Sequence, residues 1–183
     1  MKATEFIQRL RTVEPKEQEL LHHGWSESYF RQLLASYEAE PRAEFREYGD
    51  EFLNLIHNYD ASKIEITLVH FDLYNDSPYG IPPSERFLRV GFAEADLLVI
   101  DKTTGEIAIE DLESCGFIML YCAKTSENFL DALLEMAKPN TEYLTNVGDV
   151  TSVDWCRKAS VCAGLAGGDK YLGFYQMALG CEP

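Results

Sequence analysis

Cys122 and His70 are the residues that come nearest to supplying chemistry in this chain. A thiol attacks as its thiolate, which needs a neighbouring base or cation, and these two side chains could meet across a sheet. Cys122 packed as a small buried apolar residue is the competing reading. The remaining cysteines, Cys115, Cys156, Cys162 and Cys181, bring the total to five. That odd count contains no Cys-x-x-Cys pair of the kind that starts a zinc site. All five are expected to be reduced and mostly buried. His22 and His23 are adjacent and point to different sides of any helix, and His57 and His70 have no partner at ligand spacing.

The other chemical signatures fall short in identifiable ways. With 31 Asp and Glu residues, a carboxylate pair within reach is nearly guaranteed, so abundance removes any specificity for acid–base work. The loop from Asp72 to Tyr79 lacks the regular oxygen alternation of a calcium-binding loop. Gly167-Gly168-Asp169-Lys170 lacks both the glycine spacing and the hydroxyl after lysine that a phosphate loop requires, so a helix C-cap is expected there. No catalytic residue, metal or cofactor is assigned, and the expectation is a protein that is not an enzyme.

Charge gives the clearest signal. The net charge is −15 with an isoelectric point near 4.6, and such a surface repels a phosphate backbone, which excludes nucleic acid as a partner. Residues 61–139 hold 6 Lys and Arg against 14 Asp and Glu, a net of −8. Within them lie the seven carboxylates Glu94, Asp96, Asp101, Glu106, Glu110, Asp111 and Glu113. They fall on two short strands around a turn at Lys102 to Gly105, where Gly105 supplies a positive φ. Alternation sends some of these acids to opposite faces, so a solvated sheet face competes with a working surface. In the Pro- and Gly-rich loop, Tyr74 and Tyr79 stand beside Asp72 and Asp76, a mixture of aromatic and acid found at recognition surfaces and equally in packed loops.

The elements that must position these residues follow from periodicity. Thr4 can cap a first helix with Phe6, Ile7, Leu10 and Val13 in step. Pro15 suits the start of a second short helix that Gly24 closes. Ser26 as N-cap puts Trp25 and Phe30 at staple spacing and opens a helix burying Tyr29, Phe30, Leu33, Leu34 and Tyr37. A helical pattern with Phe45, Tyr48, Phe52, Leu53 and Ile56 follows Pro41, with Gly49 a possible break. The period then changes to two. Lys63 to Phe71 reads as a strand with one wet face, residues 72–85 as a long loop, and Arg86–Phe92, Leu97–Asp101, Glu106–Glu110 and Gly116–Cys122 as strands of an antiparallel meander. Ser126 opens a helix that Pro139 should end, and two helices, Ser152 to Leu165 and about Lys170 to Leu179, close the chain. The expected fold class is α+β, a mainly antiparallel sheet flanked by N- and C-terminal helices.

At 183 residues the chain can bury one substantial core, and a single domain spanning 1–183 is expected. Its apolar runs are too short to cross a bilayer. The start "MKATEFIQRL" has no apolar signal-peptide region, so the expected location is the cytoplasm.

Four stretches in order carry a family resemblance: "LLHHGWSESYFRQLL" at Leu20 to Leu34, "EFLNLIHNY" at Glu51 to Tyr59, "VGFAEADLLVIDKTTGEIAIED" at Val90 to Asp111, and "CAKTSENFLDALLEM" at Cys122 to Met136. Together they resemble the SUKH superfamily, small α+β proteins that include many bacterial immunity proteins and a yeast cell-wall regulator. The resemblance covers roughly residues 18–137 as a core, leaving 140–183 as a C-terminal helical extension. Asn58-Tyr59 stands where the family tends to show Gly-Gly or Asn-Gly, so a different turn is expected there. The resemblance implies a cytoplasmic bacterial immunity protein that binds and neutralises a secreted toxin domain, commonly a nuclease or nucleic-acid deaminase. Such toxins tend to be basic. The partner-binding residues expected on this basis are Asp72, Asp76, Tyr79, Glu94, Asp96, Glu110, Asp111 and Glu113. An intracellular scaffold or regulatory module on the same fold is the alternative, and a small thiol hydrolase a third.

Overall fold

The computed structural model describes residues 1–16, 26–71, 84–145 and 152–181. Among these the helices are α1 (Ala3–Leu10), α2 (Glu27–Ala35), α3 (Glu51–Asn58), α4 (Ser126–Thr145), α5 (Ser152–Ala166) and α6 (Leu172–Ala178). The strands are β1 (Glu40–Pro41), β2 (Tyr59–Asp60), β3 (Glu65–Ile66), β4 (Val69–His70), β5 (Phe87–Ala93), β6 (Asp96–Asp101), β7 (Ile107–Glu110) and β8 (Ile118–Ala123). Strands β3 to β8 form one six-stranded sheet in sequence order, antiparallel at every step. This is the expected α+β meander with helices on both sides of it in the chain. No described helix is long and apolar enough to cross a membrane.

The central strands explain where the charges must go. "LLVI" in β6 and "IAI" in β7 are continuous apolar runs, the pattern of strands buried on both faces. One face of the sheet presents Leu98, Ile100, Ile107 and Ile109 to the main core, together with Phe52 and Leu55 of α3 and Phe129, Leu130 and Leu133 of α4. The other presents Leu97, Val99 and Ala108 beside Phe87, with Phe92, Leu112, Ile118 and Tyr121 packed against them. Leu97, Val99 and Ala108 are completely buried. The solvated face that competed with a working surface is therefore not formed on this hairpin, and its acids lie at or beside the strand ends, Glu110 buried among them. Phe52 meets Phe129 edge-on at 5.6 Å between ring centroids, a favourable aromatic geometry. The C-terminal helices join the same core through Cys162, Phe174 and Tyr175.

Several helix ends depart from the local signals. The N-cap of α1 is Lys2, not Thr4, and gives no side-chain cap. The Glu51 carboxylate at the start of α3 supplies it instead, accepting from Ala3 N at 2.9 Å, while Thr4 Oγ1 accepts from the Tyr59 hydroxyl. Ser26 caps α2 as expected, its hydroxyl accepting from Tyr29 N. In α2 Phe30 is buried and Leu33 and Leu34 partly so, whereas Tyr29 is exposed. Trp25 and the helix expected before Gly24 lie outside the described residues. The pattern after Pro41 becomes helix only from Glu51, capped by Asp50, whose carboxylate accepts from Phe52 N and Leu53 N. The stretch before it folds back on α3, because Asn58 bonds both backbone groups of Arg46 and Asn54 accepts from Tyr48 N. Phe45, expected inside, is exposed.

Three further expectations are corrected. Lys63 to Phe71 is not one strand but a tight hairpin of β3 and β4, turned at Thr67 with φ of 52°. Helix α4 continues past Pro139 to Thr145. A proline there costs one backbone hydrogen bond, and packing of α4 along α5 keeps the two helices together. Cys156 and Cys181 are joined in a disulfide, with Cα atoms 5.3 Å apart, rather than reduced. The expected cap at the end of α5 is present: Gly168 N donates to Ala163 O, and Gly167 and Gly168 both take positive φ.

Candidate functional site

The seven hairpin acids divide between the two ends of the sheet and its interior. At one end, Asp101 is buried and accepts a forked pair of bonds from Arg86, 2.7 and 3.0 Å, and two more from the Thr103 amide and hydroxyl. The Arg86 bonds, with those from Thr103, outweigh burial and hold its carboxyl down at about 2. Glu106 at the same end is bonded by Lys170 and by the Tyr171 hydroxyl. Burial pushes the Glu106 pKa up, but these donors outweigh it and hold it below the usual carboxylate range. Both acids are occupied in holding β6 and β7 to their surroundings.

Glu110 is the interior case. It is 1 % exposed, with Oε1 accepting from Gly116 N at 2.7 Å and Oε2 3.6 Å from Arg89 Nε. The expectation that Glu110 contacts a partner is thereby corrected: it points into the sheet's second face, where a carboxylate requires a cation and a donor to remain.

The remaining four lie together at the other end. Glu94 sits in the turn between β5 and β6 with φ of 55°, fixed by Glu94 N donating to Leu68 O. Asp96 reaches the loop after β7, accepting from Leu112 N at 3.1 Å. Asp111 folds that loop, accepting from Glu113 N and Ser114 N. Glu94 and Glu113 are exposed, and Asp96 and Asp111 are half-buried. Among the described residues none of the four has an ion-pair partner. Asp72, Asp76 and Tyr79 lie outside the described residues.

Beside these acids runs an open groove of about 530 Å³, lined by Ser62, His70, Phe71, Phe92, Ala95 and Leu112, with Glu94 at its margin. Three tight turns far apart in sequence build it, and no linear pattern announces it. Gly91 allows β4 to lie close, since a Cβ there would be 2.3 Å from His70 O. His70 Nε2 faces Glu65 at 3.9 Å.

The cysteines offer little to nucleophilic chemistry. Cys122 is wholly buried, and burial pushes its thiol well up. Burial, with Glu135 nearby, raises Cys162 to about 12. His70 lines the groove while Cys122 lies in the main core, so the pairing weighed from sequence is not formed. Cys115 is exposed in the loop after β7. Among the described residues no three His, Cys, Asp or Glu side chains are grouped to hold a metal ion.

The fold and surface define a class, an α+β protein with a six-stranded antiparallel meander and a strongly acidic end. Comparison with family models, with curated proteins and with solved structures finds no match for this chain.

Proposed function

We propose that this chain is a SUKH-type immunity protein, which binds a basic toxin domain stoichiometrically and blocks it through the acidic end of its sheet. The observation that supports this is the division of the carboxylates. Asp101, Glu106 and Glu110 are consumed by the fold, whereas Glu94, Asp96, Asp111 and Glu113 gather without an ion-pair partner among the described residues. Gathering like charges destabilises a compact state, and a complementary partner relieves that cost while steering speeds the encounter. A nuclease or nucleic-acid deaminase must grip phosphate, so its active groove is the expected target, with the carboxylates taking the place of phosphates. The exposed pair, Glu94 and Glu113, is free to meet such a partner.

The test is capture of the variable C-terminal domain of a secreted protein encoded in the neighbouring reading frame, together with protection of cells that express that domain. The expected result is a stable one-to-one complex and survival. Cells that die while producing soluble, folded chain would overturn the proposal.

A further inference from the structure

The acidic end has an apolar element that charge alone does not explain. Phe71 forms a buried floor, while Phe92 and Leu112 are only half-buried and Ala95 is exposed. Ser62 and His70 add polar groups to the same walls. At about 530 Å³ the groove falls in the range of roughly 300–1,000 Å³ that receives organic groups. Glu94 lines it with an exposed carboxylate, and exposed Glu65 stands 3.9 Å from the His70 wall. The cation closest in sequence, Lys63, acts on Asp60, whose carboxyl is held down first by its bonds from Ser62. A groove with apolar walls, two polar groups and an acidic margin matches an amphipathic aromatic side chain between basic neighbours. A tryptophan or tyrosine ring would pack on Leu112 and Ala95 over the Phe71 floor and offer its polar atom to His70 or Ser62. The flanking Lys or Arg groups would meet the carboxylates.

We infer that this groove is the anchor point of the acidic surface, seating a Trp or Tyr of a basic protein segment flanked by Lys or Arg. This rests on the acid-surface reading above and adds the partner's local chemistry to it. Anchors of this kind carry most of the energy of an interface, while the charged margin acts mainly on encounter.

Three capped peptides serve as probes: Lys-Arg-Trp-Arg-Lys, the same with Ala in place of Trp, and Glu-Glu-Trp-Glu-Glu. Binding is followed by amide chemical shifts of the full chain. The Lys/Arg-flanked Trp peptide should give saturable shifts at His70, Phe92 and Leu112, with the Ala peptide about tenfold weaker. Ala95→Trp, an exposed turn substitution that fills the groove, should erase the preference for Trp over Ala while Glu94 and Glu113 stay in place. Leu112→Ala, which removes one wall, should weaken the Trp peptide selectively and covers the case in which A95W disturbs the turn.

Equal binding of the Trp and Ala peptides, with both weakened by Glu94→Gln/Glu113→Gln, would overturn the anchor and leave the acid-surface reading intact. Equal binding of the Glu-flanked and Lys/Arg-flanked Trp peptides would overturn the acid-surface reading and this inference with it. No saturable shift with any peptide at millimolar concentration would overturn the inference.

Discussion

Asp101 and Glu94 show how residues of one type on one hairpin take opposite roles. Asp101 is buried and held by Arg86 and Thr103, so its charge belongs to stability. Its folded-state pKa, about 2, lies below the ordinary carboxylate value of 3.8. The stabilisation is thus present above the unfolded value and lost as pH falls from about 4 toward about 2. Asp101→Asn should lower the melting temperature at pH 7, and the gap from wild type should narrow across that acid window. An unchanged gap between pH 7 and pH 2 would mean that the charge is not what Arg86 stabilises. Glu94 and Glu113 are exposed and contribute little to folding. Asp96 and Asp111 occupy a middle position, since replacing them also removes acceptors from the loop amides of Leu112, Glu113 and Ser114. Glu94→Gln/Glu113→Gln is therefore the variant that isolates surface charge. From sequence alone these roles were indistinguishable, because what separates Asp101 from Glu94 is the position of Arg86 and of a turn.

At the scale of elements, much of the architecture was legible where its cause is local. Phe6, Ile7 and Leu10 lie on one helical stripe, Ser26 is a capping residue at a helix start, and the apolar runs of β6 and β7 are long enough to declare buried strands. The β3–β4 hairpin was hidden because Thr67 carries a positive φ without being one of the residues that signal it. The cap of α1 was hidden because Glu51 comes from another helix. The groove joins three such turns, which is why no spacing in the sequence pointed to it. Gly91 is the hinge of this arrangement. Gly91→Ala places a methyl group against His70 O, so β4 must shift; a cost of about 1–3 kcal/mol is expected from such overpacking. Urea unfolding measures it, and the His70 amide resonance should move with it. Wild-type stability in G91A would show that β4 does not lie as close as described.

At the scale of the molecule, the C-terminal helices, read from sequence as an extension within one domain, share the main core, with the Tyr175 hydroxyl donating to Cys122 O across to β8. The Cys156–Cys181 disulfide closes this region, linking residues 25 apart. Odd cysteine count and spacing pointed to thiols, and only the docking of α6 on α5 brings these two together. Removing the crosslink by Cys156→Ser/Cys181→Ser should cost about 2–4 kcal/mol. Scanning calorimetry should show reductant lowering the wild-type melting temperature and leaving the double variant unaffected. Equal insensitivity of both would place the two sulfurs as thiols in solution.

The proposed docking of a basic protein on the acidic end of the sheet is likewise a property of the whole molecule. A chain at −15 attracts any basic protein weakly, so specific docking must depend on where the charge sits and not on its sum. The most direct measurement is the association rate with the neighbouring-frame toxin domain, for wild type and for E94Q/E113Q, across ionic strength. The predicted result is a wild-type rate that falls steeply with salt, a double variant about tenfold slower at low salt with a shallower dependence, and dissociation rates that differ little. Identical association rates at low salt, in a complex that still forms, would overturn the proposed docking surface and move the binding face elsewhere on the molecule.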